Sequence, residues 1–218
     1  MAADNTVLVI TGSAPLDDVA VRAAAGAGRV VAADGGLDHA LAAGIRPDVL
    51  VGDLDSISPA GLDWATANVA VERHPADKAA TDTELALSCA AAMQPDRIVL
   101  LAGRSDRVDH GIAALGALGG DALADVPTVE GWWGSDHVIV VRPGRSIDVT
   151  RPAGTTFSLL ALHGGCRGVT VTGSRWPLAD ADLGPMVGLG VSNEVLEAPC
   201  HVEVAAGVLT VIIPGAQP

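Results

Sequence analysis

Short apolar runs alternate with alanine-rich stretches along roughly the first 130 residues. Each apolar run is rich in Val, Ile and Leu and too short for a helix, which is typical of a buried strand. The predicted strands are Val7–Ile10, Val30–Ala33, Asp48–Val51, Val69–Glu72 and Ile98–Leu101. The predicted helices between them are Asp18–Ala27, Gly36–Ala43, Pro59–Thr66, Thr81–Met93 and His110–Leu118. This alternation predicts βαβ units and a mainly parallel sheet covered on both faces.

The pattern changes after about Val126, where short apolar runs are separated by Gly, Pro and Asp. The predicted strands here are Asp136–Val141, Ser146–Thr150, Thr156–Ala161, Val169–Thr172, Val202–Val204 and Val208–Ile213. Without long helical periods, they predict antiparallel β structure, a sandwich or a barrel. Pro143-Gly144 and Ala206-Gly207 are predicted as hairpin turns, whereas residues 174–200 fit no single pattern. We therefore predict an α/β domain over residues 1–130 and a β domain over residues 131–218.

Composition restricts the ligands that this chain can bind. Hydrophobic residues make up 49% of the 218 residues and charged residues 18%, enough for a substantial core. The net charge of −13 repels nucleic acids and anionic membranes, so we expect neither as a partner. A phosphate ligand then needs a metal, backbone N–H groups or one well-placed cation, and Lys78 is the only lysine.

The cysteines and the apolar segments indicate a cytoplasmic protein. Cys89, Cys166 and Cys200 lie far apart and form no CxxC pair, which argues against a zinc site and a disulfide framework. The N-terminus has no signal-like pattern. No apolar stretch approaches the ~20 residues of a membrane helix.

Two aspartates directly follow a predicted strand, in the run Gly52-Asp53-Leu54-Asp55-Ser56. In extended backbone, residues i and i+2 point the same way, so Asp53 and Asp55 would present two carboxylates to one point. Two like charges need a compensating cation or a shared proton, and Mg²⁺ suits carboxylates combined with substrate phosphates. The C-terminal end of a parallel strand favours a ligand site. The alternative is a solvated turn.

Two further segments are candidates for phosphate binding. Asp34-Gly35-Gly36 follows a strand and precedes a helix, where paired glycines let the backbone approach an anion closely. An ordinary β–α turn is the alternative. Lys78 is suited to contact a phosphate. Thr81 and Glu84 match a capping box, so Asp82 is a functional candidate only if it faces the Asp53 and Asp55 pair.

Three more positions carry polar or aromatic groups in turn-like surroundings. Arg107 and Asp109 lead into a predicted helix, where Arg107 could bind phosphate and Asp109 could cap the helix or bind a ligand. Trp176 is either core or a stacking platform. Ser192-Asn193-Glu194 is a polar segment within the β-rich half.

The order of these segments resembles the thiamine pyrophosphokinase family from about Val7 to Ile213. The matching segments are DGG at 34–36, RPD at 46–48, GDLDS at 52–56, DKxxTD at 77–82, Arg-x-Asp-His at 107–110, GSRWPL at 173–178 and SNE at 192–194. The resemblance implies an N-terminal α/β domain, a C-terminal β-sandwich and a homodimer. Each active site would lie between the α/β domain of one subunit and the β domain of the other.

The resemblance also implies the reaction, in which the hydroxyethyl oxygen of thiamine attacks the β-phosphorus of ATP and AMP leaves. Three aspartates match the family residues that handle Mg²⁺ and ATP, namely Asp53, Asp55 and Asp82. Lys78 and Arg107 would neutralise phosphate oxygens, and Asp82 or Asp109 would accept the hydroxyl proton. The remaining nucleotide-binding candidates are Asp34, Gly35, Gly36 and Thr81. Trp176 matches the residue that stacks on thiamine, and Ser192 with Asn193 matches the pair near its pyrimidine ring.

Two departures from the family pattern keep other functions open. Ala79 stands where the family usually has Asp, and Asp106 where it usually has Gly. We expect Asp106 to point outward. A non-catalytic regulator that binds Mg²⁺-nucleotide or thiamine is therefore one alternative. A pyrophosphokinase acting on a hydroxymethylpterin is another, although Trp176 and the SNE segment argue against it. A structural protein with solvated Asp-rich turns is the third.

Overall fold

A computed structural model describes residues 5–23, 25–104 and 107–216, so Asp106 lies outside the described residues. The chain divides into two compact units, which meet in sequence between Ser135 and Asp136. Unit 1 precedes this point and unit 2 is Asp136–Ala216. The boundary that we predicted at residue 130 falls within the last strand of unit 1.

The described part of unit 1 contains a six-stranded sheet. Its strands are β1 (Thr6–Ile10), β2 (Arg29–Ala33), β3 (Val49–Gly52), β4 (Ala70–Arg73), β5 (Arg97–Ala102) and β6 (Thr128–Trp133). Their order is β6-β5-β1-β2-β3-β4, and every neighbouring pair is parallel. The predicted parallel α/β architecture is confirmed.

Burial follows the position of each strand in this sheet. All five residues of the central strand β1 are buried, because neighbouring strands and packed elements cover it on every side. The predicted buried strand at Val69–Glu72 is wrong in one respect: β4 forms, but all four of its residues are exposed at the sheet edge. Strand β6 was not predicted, because Glu130 interrupts its run of apolar residues. This carboxylate is buried and pairs with Arg97 on the neighbouring strand β5.

Helices connect the strands of unit 1. They are α1 (Asp18–Ala23), α2 (Gly36–Ala42), α3 (Pro59–Asn68), α4 (Asp82–Ala92) and α5 (Val108–Leu118), with a 3₁₀ turn at Asp121–Leu123. Each begins close to its predicted start. None of the helices in the described ranges is long and apolar enough to cross a membrane.

Unit 2 consists of antiparallel strands, as its sequence pattern predicted. They are β7 (Asp136–Val141), β8 (Ser146–Val149), β9 (Thr156–Leu160), β10 (Cys166–Thr172), β11 (Leu178–Leu183), β12 (Gly190–Glu194), β13 (Cys200–Glu203) and β14 (Leu209–Ile213). Two four-stranded groups form, in the orders β12-β9-β14-β7 and β11-β10-β13-β8. Strands β11 and β12 occupy the stretch 174–200 that fitted no single pattern.

The two predicted hairpins of unit 2 are wrong. Gly144 and Gly207 do adopt the positive φ values of 76° and 91° that tight turns favour. Pro143-Gly144 nevertheless lies between β7 and β8, and Ala206-Gly207 lies between β13 and β14. In each case the two strands belong to different groups and do not pair with each other. Turn chemistry identifies where the chain reverses but not which strands pair.

Candidate active site

Three aspartates converge beside the C-terminal ends of adjacent parallel strands in unit 1. Asp34, Asp53 and Asp82 each place a carboxylate oxygen within 4.8 Å of the others, and we call them the acidic cluster. Asp34 follows β2 and Asp53 follows β3, and these strands are adjacent and parallel, so their carboxyl ends lie together. Asp82 is the first residue of α4. It faces Asp53, which is one member of the Asp53 and Asp55 pair that we required it to face.

Asp55 is not part of the acidic cluster. Leu54 has a left-handed φ of 72°, so the backbone between Asp53 and Asp55 is not extended, and strand periodicity does not apply to them. The Asp55 N–H instead turns back and donates to Asp53 Oδ1 at 3.3 Å. After its stronger hydrogen bond from Lys78, the Asp53 carboxylate also has a side-chain contact with Asp55, and Asp34 and Asp82 complete the cluster around Asp53. Metal binding by Asp55, whose side chain is exposed, stays a prediction.

Ser56, which the sequence analysis did not single out, fixes the position of Asp34. Its hydroxyl donates to Asp34 Oδ2 and accepts from the Gly35 N–H at 3.1 Å. The other carboxylate oxygen, Asp34 Oδ1, is buried and has no hydrogen-bond partner within the described chain. Burial raises the pKa of Asp34, and the negative charges of Asp82 and Asp53 raise it further.

Gly52 keeps space open inside the acidic cluster. A Cβ atom at this position would lie 3.0 Å from both the Asp34 Cβ and the Asp82 Oδ1, which is tighter than nine in ten contacts of this kind. Its φ of 151° is also one that other residues rarely adopt. A glycine between the side chains of Asp34 and Asp82, beside an unpartnered buried oxygen, fits a small hard cation with oxygen ligands.

Lys78 is bound to two members of the cluster. Its Nζ donates to Asp53 Oδ2 at 2.9 Å and lies 3.0 Å from Asp82 Oδ1. The side chain is largely shielded from solvent, with 12% of its surface exposed. The hydrogen bond to Asp53 raises the pKa of Lys78 and lowers the pKa of Asp53. Lys78, which we predicted to contact phosphate, thus contacts two carboxylates of the acidic cluster.

The predicted capping box starts helix α4 and thereby positions Asp82. Thr81 Oγ1 accepts from the Glu84 N–H at 3.2 Å, and Glu84 Oε2 accepts from the Thr81 N–H at 2.8 Å. The capping role of Thr81 is confirmed, and its role in nucleotide binding stays a prediction.

The glycines of the Asp34-Gly35-Gly36 turn are required by close packing. A Cβ on Gly36 would lie 2.2 Å from the Ile10 carbonyl oxygen at the end of β1. A Cβ on Gly35 would lie 2.8 Å from the Ser56 hydroxyl. The backbone at both glycines is therefore packed closely, and this packing holds the turn and Asp34 against the sheet. Ligand binding by either glycine stays a prediction.

Arg107 and Asp109 form a bidentate ion pair at the start of α5. Arg107 Nε donates to Asp109 Oδ1 at 3.0 Å, and Arg107 Nη2 donates to Asp109 Oδ2 at 2.7 Å. The N-cap residue is Arg107, so the alternative of Asp109 as the cap is wrong. The ion pair lowers the pKa of Asp109. A carboxylate held in its ionised form in this way is a weak proton acceptor.

Trp176 lies on the surface of unit 2. Its side chain is 53% exposed, so the alternative of a core tryptophan is wrong. The Arg175 guanidinium carbon lies over the indole ring, 5.0 Å from its centroid, and Arg175 Nη1 donates to Glu194 Oε2 at 3.0 Å. An exposed aromatic ring with one face covered by a cation leaves the other face for a ligand.

Asn193 holds the backbone of Trp176 and is itself buried. Its Oδ1 accepts from the Trp176 N–H at 3.1 Å and from the Glu194 N–H at 2.9 Å. Its Nδ2 donates to the Trp176 carbonyl at 2.8 Å and to Ser174 Oγ at 3.4 Å. The carboxamide thereby uses both donor hydrogens and both acceptor lone pairs. Ser192 is exposed, has a φ of 60°, and donates its N–H to Ser158 Oγ at 3.1 Å.

Two family models match the sequence. The first is "Thiamin pyrophosphokinase, catalytic domain", over residues 22–121, and the second is "Thiamin pyrophosphokinase, vitamin B1 binding domain", over residues 137–209. Together they cover about four-fifths of the chain. The chain belongs to the thiamin pyrophosphokinase family. Membership makes it a thiamine diphosphokinase, an enzyme that transfers a diphosphate group to thiamine. The acidic cluster lies in the catalytic match, and Trp176 and Asn193 lie in the vitamin B1 match.

Solved structures of this family share the fold. The thiamine pyrophosphokinase from Bacillus subtilis has a TM-score of 0.81 at 23% identity, covering 95% of this chain and 98% of that one. The enzyme from Geobacillus thermodenitrificans has a TM-score of 0.77 at 25% identity, covering 95% and 96%. The enzyme from Candida albicans has a TM-score of 0.76 at 17% identity, covering 97% and 90%. No curated protein matches the chain significantly in sequence.

Replacing the Asp34 carboxylate should stabilise the protein when divalent cations are chelated. A raised pKa in the folded state means that stability is fully present below the unfolded value, near 3.8, and falls as the pH rises through the folded value. Asp34→Asn should therefore raise the melting temperature in EDTA at pH 7, on the order of 2 °C. The gain should shrink toward pH 4, where Asp34 itself takes up a proton.

The matched control for this measurement is Asp63→Asn, which removes an exposed carboxylate from α3. It should leave the melting temperature unchanged at both pH values. A lower melting temperature for Asp34→Asn at pH 7 would show that the ionised Asp34 is well compensated within the fold.

Proposed function

We propose that the acidic cluster binds Mg²⁺ together with ATP, and that ATP is the diphosphate donor. The observation that carries the proposal is the convergence of three carboxylates within 4.8 Å of one another. In addition, Asp34 Oδ1 is buried without a hydrogen-bond partner in the described ranges. Like charges at this separation need a compensating cation. Mg²⁺ in particular is usually held by one or two carboxylates and by the phosphates of the substrate.

Asp34, Asp53 and Asp82 would hold the metal ion. When bound, Mg²⁺ neutralises charge on the triphosphate and orients it for in-line transfer. Local neutralisation matters here, because the chain as a whole carries a net charge of −13 and repels a nucleotide. Lys78 and Arg107 are the cationic side chains that we assign to the phosphate oxygens.

The thiamine hydroxyethyl oxygen would attack the β-phosphorus, and AMP would leave. Such transfers depend mostly on positioning and charge neutralisation, so the proton acceptor contributes less than the cluster does. Of the two residues considered for that role, Asp109 is disfavoured, because its ion pair with Arg107 lowers its pKa.

We assign the thiamine ring system to Trp176. The thiazolium ring of thiamine is a cation, and a cation over an indole face is attracted by the ring's quadrupole. Because Arg175 covers one indole face, thiamine would use the other. Asn193 would act by holding Trp176 in place, while the exposed Ser192 is free to approach the pyrimidine ring.

The departure from the family pattern at Ala79 does not weaken the metal proposal. Ala79 lies in an exposed part of its loop, and the acidic cluster is complete without a carboxylate at that position. The match to the vitamin B1 binding domain favours thiamine over a pterin as the acceptor. An active enzyme would exclude the non-catalytic regulator and the purely structural protein.

We also propose that the chain forms a homodimer. Exposed large apolar side chains occur on both units, which is typical of surfaces that meet a partner. On unit 1 they include Val108 and Ile112, one turn apart on α5; on unit 2 they include Trp176, Met186, Leu189 and Leu196. Sedimentation equilibrium should give a mass of twice the 21.8 kDa chain. A mass of one chain at micromolar concentration would contradict the dimer.

A cytoplasmic location is the remaining part of the proposal. The three cysteines lie far apart in sequence, and burial raises the pKa of the Cys200 thiol to about 11. Such thiols stay protonated and inert at neutral pH, as expected in a reducing compartment. Recovery of the native protein mainly from a secreted fraction would contradict this location.

Loss of a cluster carboxylate should abolish most of the activity. Asp53→Asn and Asp82→Asn should each lower thiamine-dependent AMP formation from ATP by about a hundredfold or more, because each removes charge that orients the phosphates. Asp55→Asn should have a smaller effect, since Asp55 lies outside the cluster. The measurement is a coupled AMP assay at limiting Mg²⁺, with and without thiamine.

Asp63→Asn on α3 again serves as the control and should turn over like the unmodified enzyme. Full activity of both cluster variants at limiting Mg²⁺ would refute the metal site. AMP release that is independent of thiamine would refute thiamine as the acceptor.

Trp176→Ala should raise the KM for thiamine far more than the KM for ATP. By analogy with base–aromatic stacking, the loss of affinity should be roughly tenfold to a hundredfold. The melting temperature should stay nearly constant, because the ring is half exposed. Trp176→Phe keeps an aromatic face and should restore most of the affinity. Equal changes in both KM values, or a marked fall in melting temperature, would contradict the stacking role.

A further inference from the structure

We propose that Lys78 competes with a divalent cation for the acidic cluster, so that the metal must displace its ammonium group from Asp53 and Asp82. The inference rests on the proposed function of the cluster as a metal site. It adds a role for Lys78 in controlling how tightly the metal binds before the nucleotide arrives.

The contacts of Lys78 involve the carboxylates that a metal would use. Its Nζ lies 2.9 Å from Asp53 Oδ2 and 3.0 Å from Asp82 Oδ1, and both aspartates belong to the cluster. The Lys78 and Asp53 side chains are only 12% and 15% exposed. Ion pairs shielded in this way are weakened less by water and salt than surface pairs are.

A metal ion and the ammonium group cannot both keep these contacts. Mg²⁺ binds oxygen ligands at about 2.0–2.1 Å, so an ion held by Asp53 and Asp82 would lie within a few ångströms of Nζ. At that separation the repulsion between a divalent ion and an ammonium group is strong. Asp34 is the one cluster member that Lys78 does not neutralise by direct contact, and its unpartnered Oδ1 gives a cation a point of entry.

The displaced ammonium group can move to the phosphate oxygens of a bound nucleotide. Lysine carries its charge on a flexible four-carbon stem with three donor hydrogens, so Nζ can turn away from the carboxylates without moving the backbone. Phosphate oxygens delivered with the metal would then accept the hydrogen bonds that Asp53 and Asp82 release. Metal binding should therefore be weak without nucleotide and stronger with it.

The test is a titration with Mn²⁺, followed by electron paramagnetic resonance, on the full chain without nucleotide. Lys78→Met keeps the length of the side chain and removes its charge, so it should lower the Kd for Mn²⁺ by about tenfold or more. Lys78→Arg keeps the charge and should bind Mn²⁺ nearly as the unmodified protein does.

A second variant controls for the change in net charge. Arg29→Met also removes one positive charge from unit 1, but Arg29 begins β2 whereas Asp34 follows the other end of that strand. It should leave the Kd for Mn²⁺ within about twofold, because an exposed and distant charge is screened by salt. Melting temperatures provide a second readout: saturating Mg²⁺ should raise that of Lys78→Met more than that of the unmodified protein.

The outcomes separate this inference from the proposed function. Mn²⁺ that binds the unmodified protein with a Kd unchanged or weaker in Lys78→Met would overturn the competition and leave the metal site intact. Equal tightening in Lys78→Met and Arg29→Met would also overturn it, since net charge alone would then explain the result. No Mn²⁺ binding to Lys78→Met without nucleotide would overturn the inference, and no Mn²⁺ binding to any variant with ATP present as well would overturn the metal site.

Discussion

Mutual repulsion among the carboxylates of Asp34, Asp53 and Asp82 is the constraint on which the rest of the site depends. On flexible loops, three such groups would move apart or take up protons. Here the ends of two adjacent parallel strands and the first residue of a helix hold them together. The fold therefore keeps the three carboxylates close together despite their repulsion. A cation that relieves this repulsion binds to carboxylates that need little rearrangement.

Several small features of the sequence maintain this arrangement. Gly52 leaves room where a side chain would collide with Asp34 and Asp82. Ser56 orients one oxygen of Asp34, and the capping box of Thr81 and Glu84 fixes the start of the helix that presents Asp82. Each of these groups acts on a neighbour and needs no contact with substrate. The family models divide the chain where the two units do, so the catalytic-domain match lies on unit 1 and the vitamin B1 match on unit 2.

Local patterns in the sequence were enough to predict most strands of unit 1, because buried parallel strands read as short apolar runs. They did not reveal that β4 would be an exposed edge, since strand order is a long-range property. The same limit explains why Asp34 was not assigned to the metal set: spacing along the chain favoured Asp55, whereas strand adjacency brings Asp34 beside Asp53. The rule that ligands gather at the ends of adjacent parallel strands would have found Asp34 had the order been known. In unit 2, neither the exposure of Trp176 nor the hydrogen bonds of Asn193 could be inferred from residue type.

One divalent cation bound by all three members of the acidic cluster is the feature on which the proposed chemistry depends most directly. Crystals grown with Mn²⁺ and a non-hydrolysable ATP analogue would test this through anomalous scattering, which locates the metal independently of any assumed chemistry. We expect an anomalous peak within about 2.5 Å of oxygens from Asp34, Asp53 and Asp82, with phosphate oxygens completing the shell. A nucleotide bound with no metal on Asp34, Asp53 and Asp82 would contradict the account.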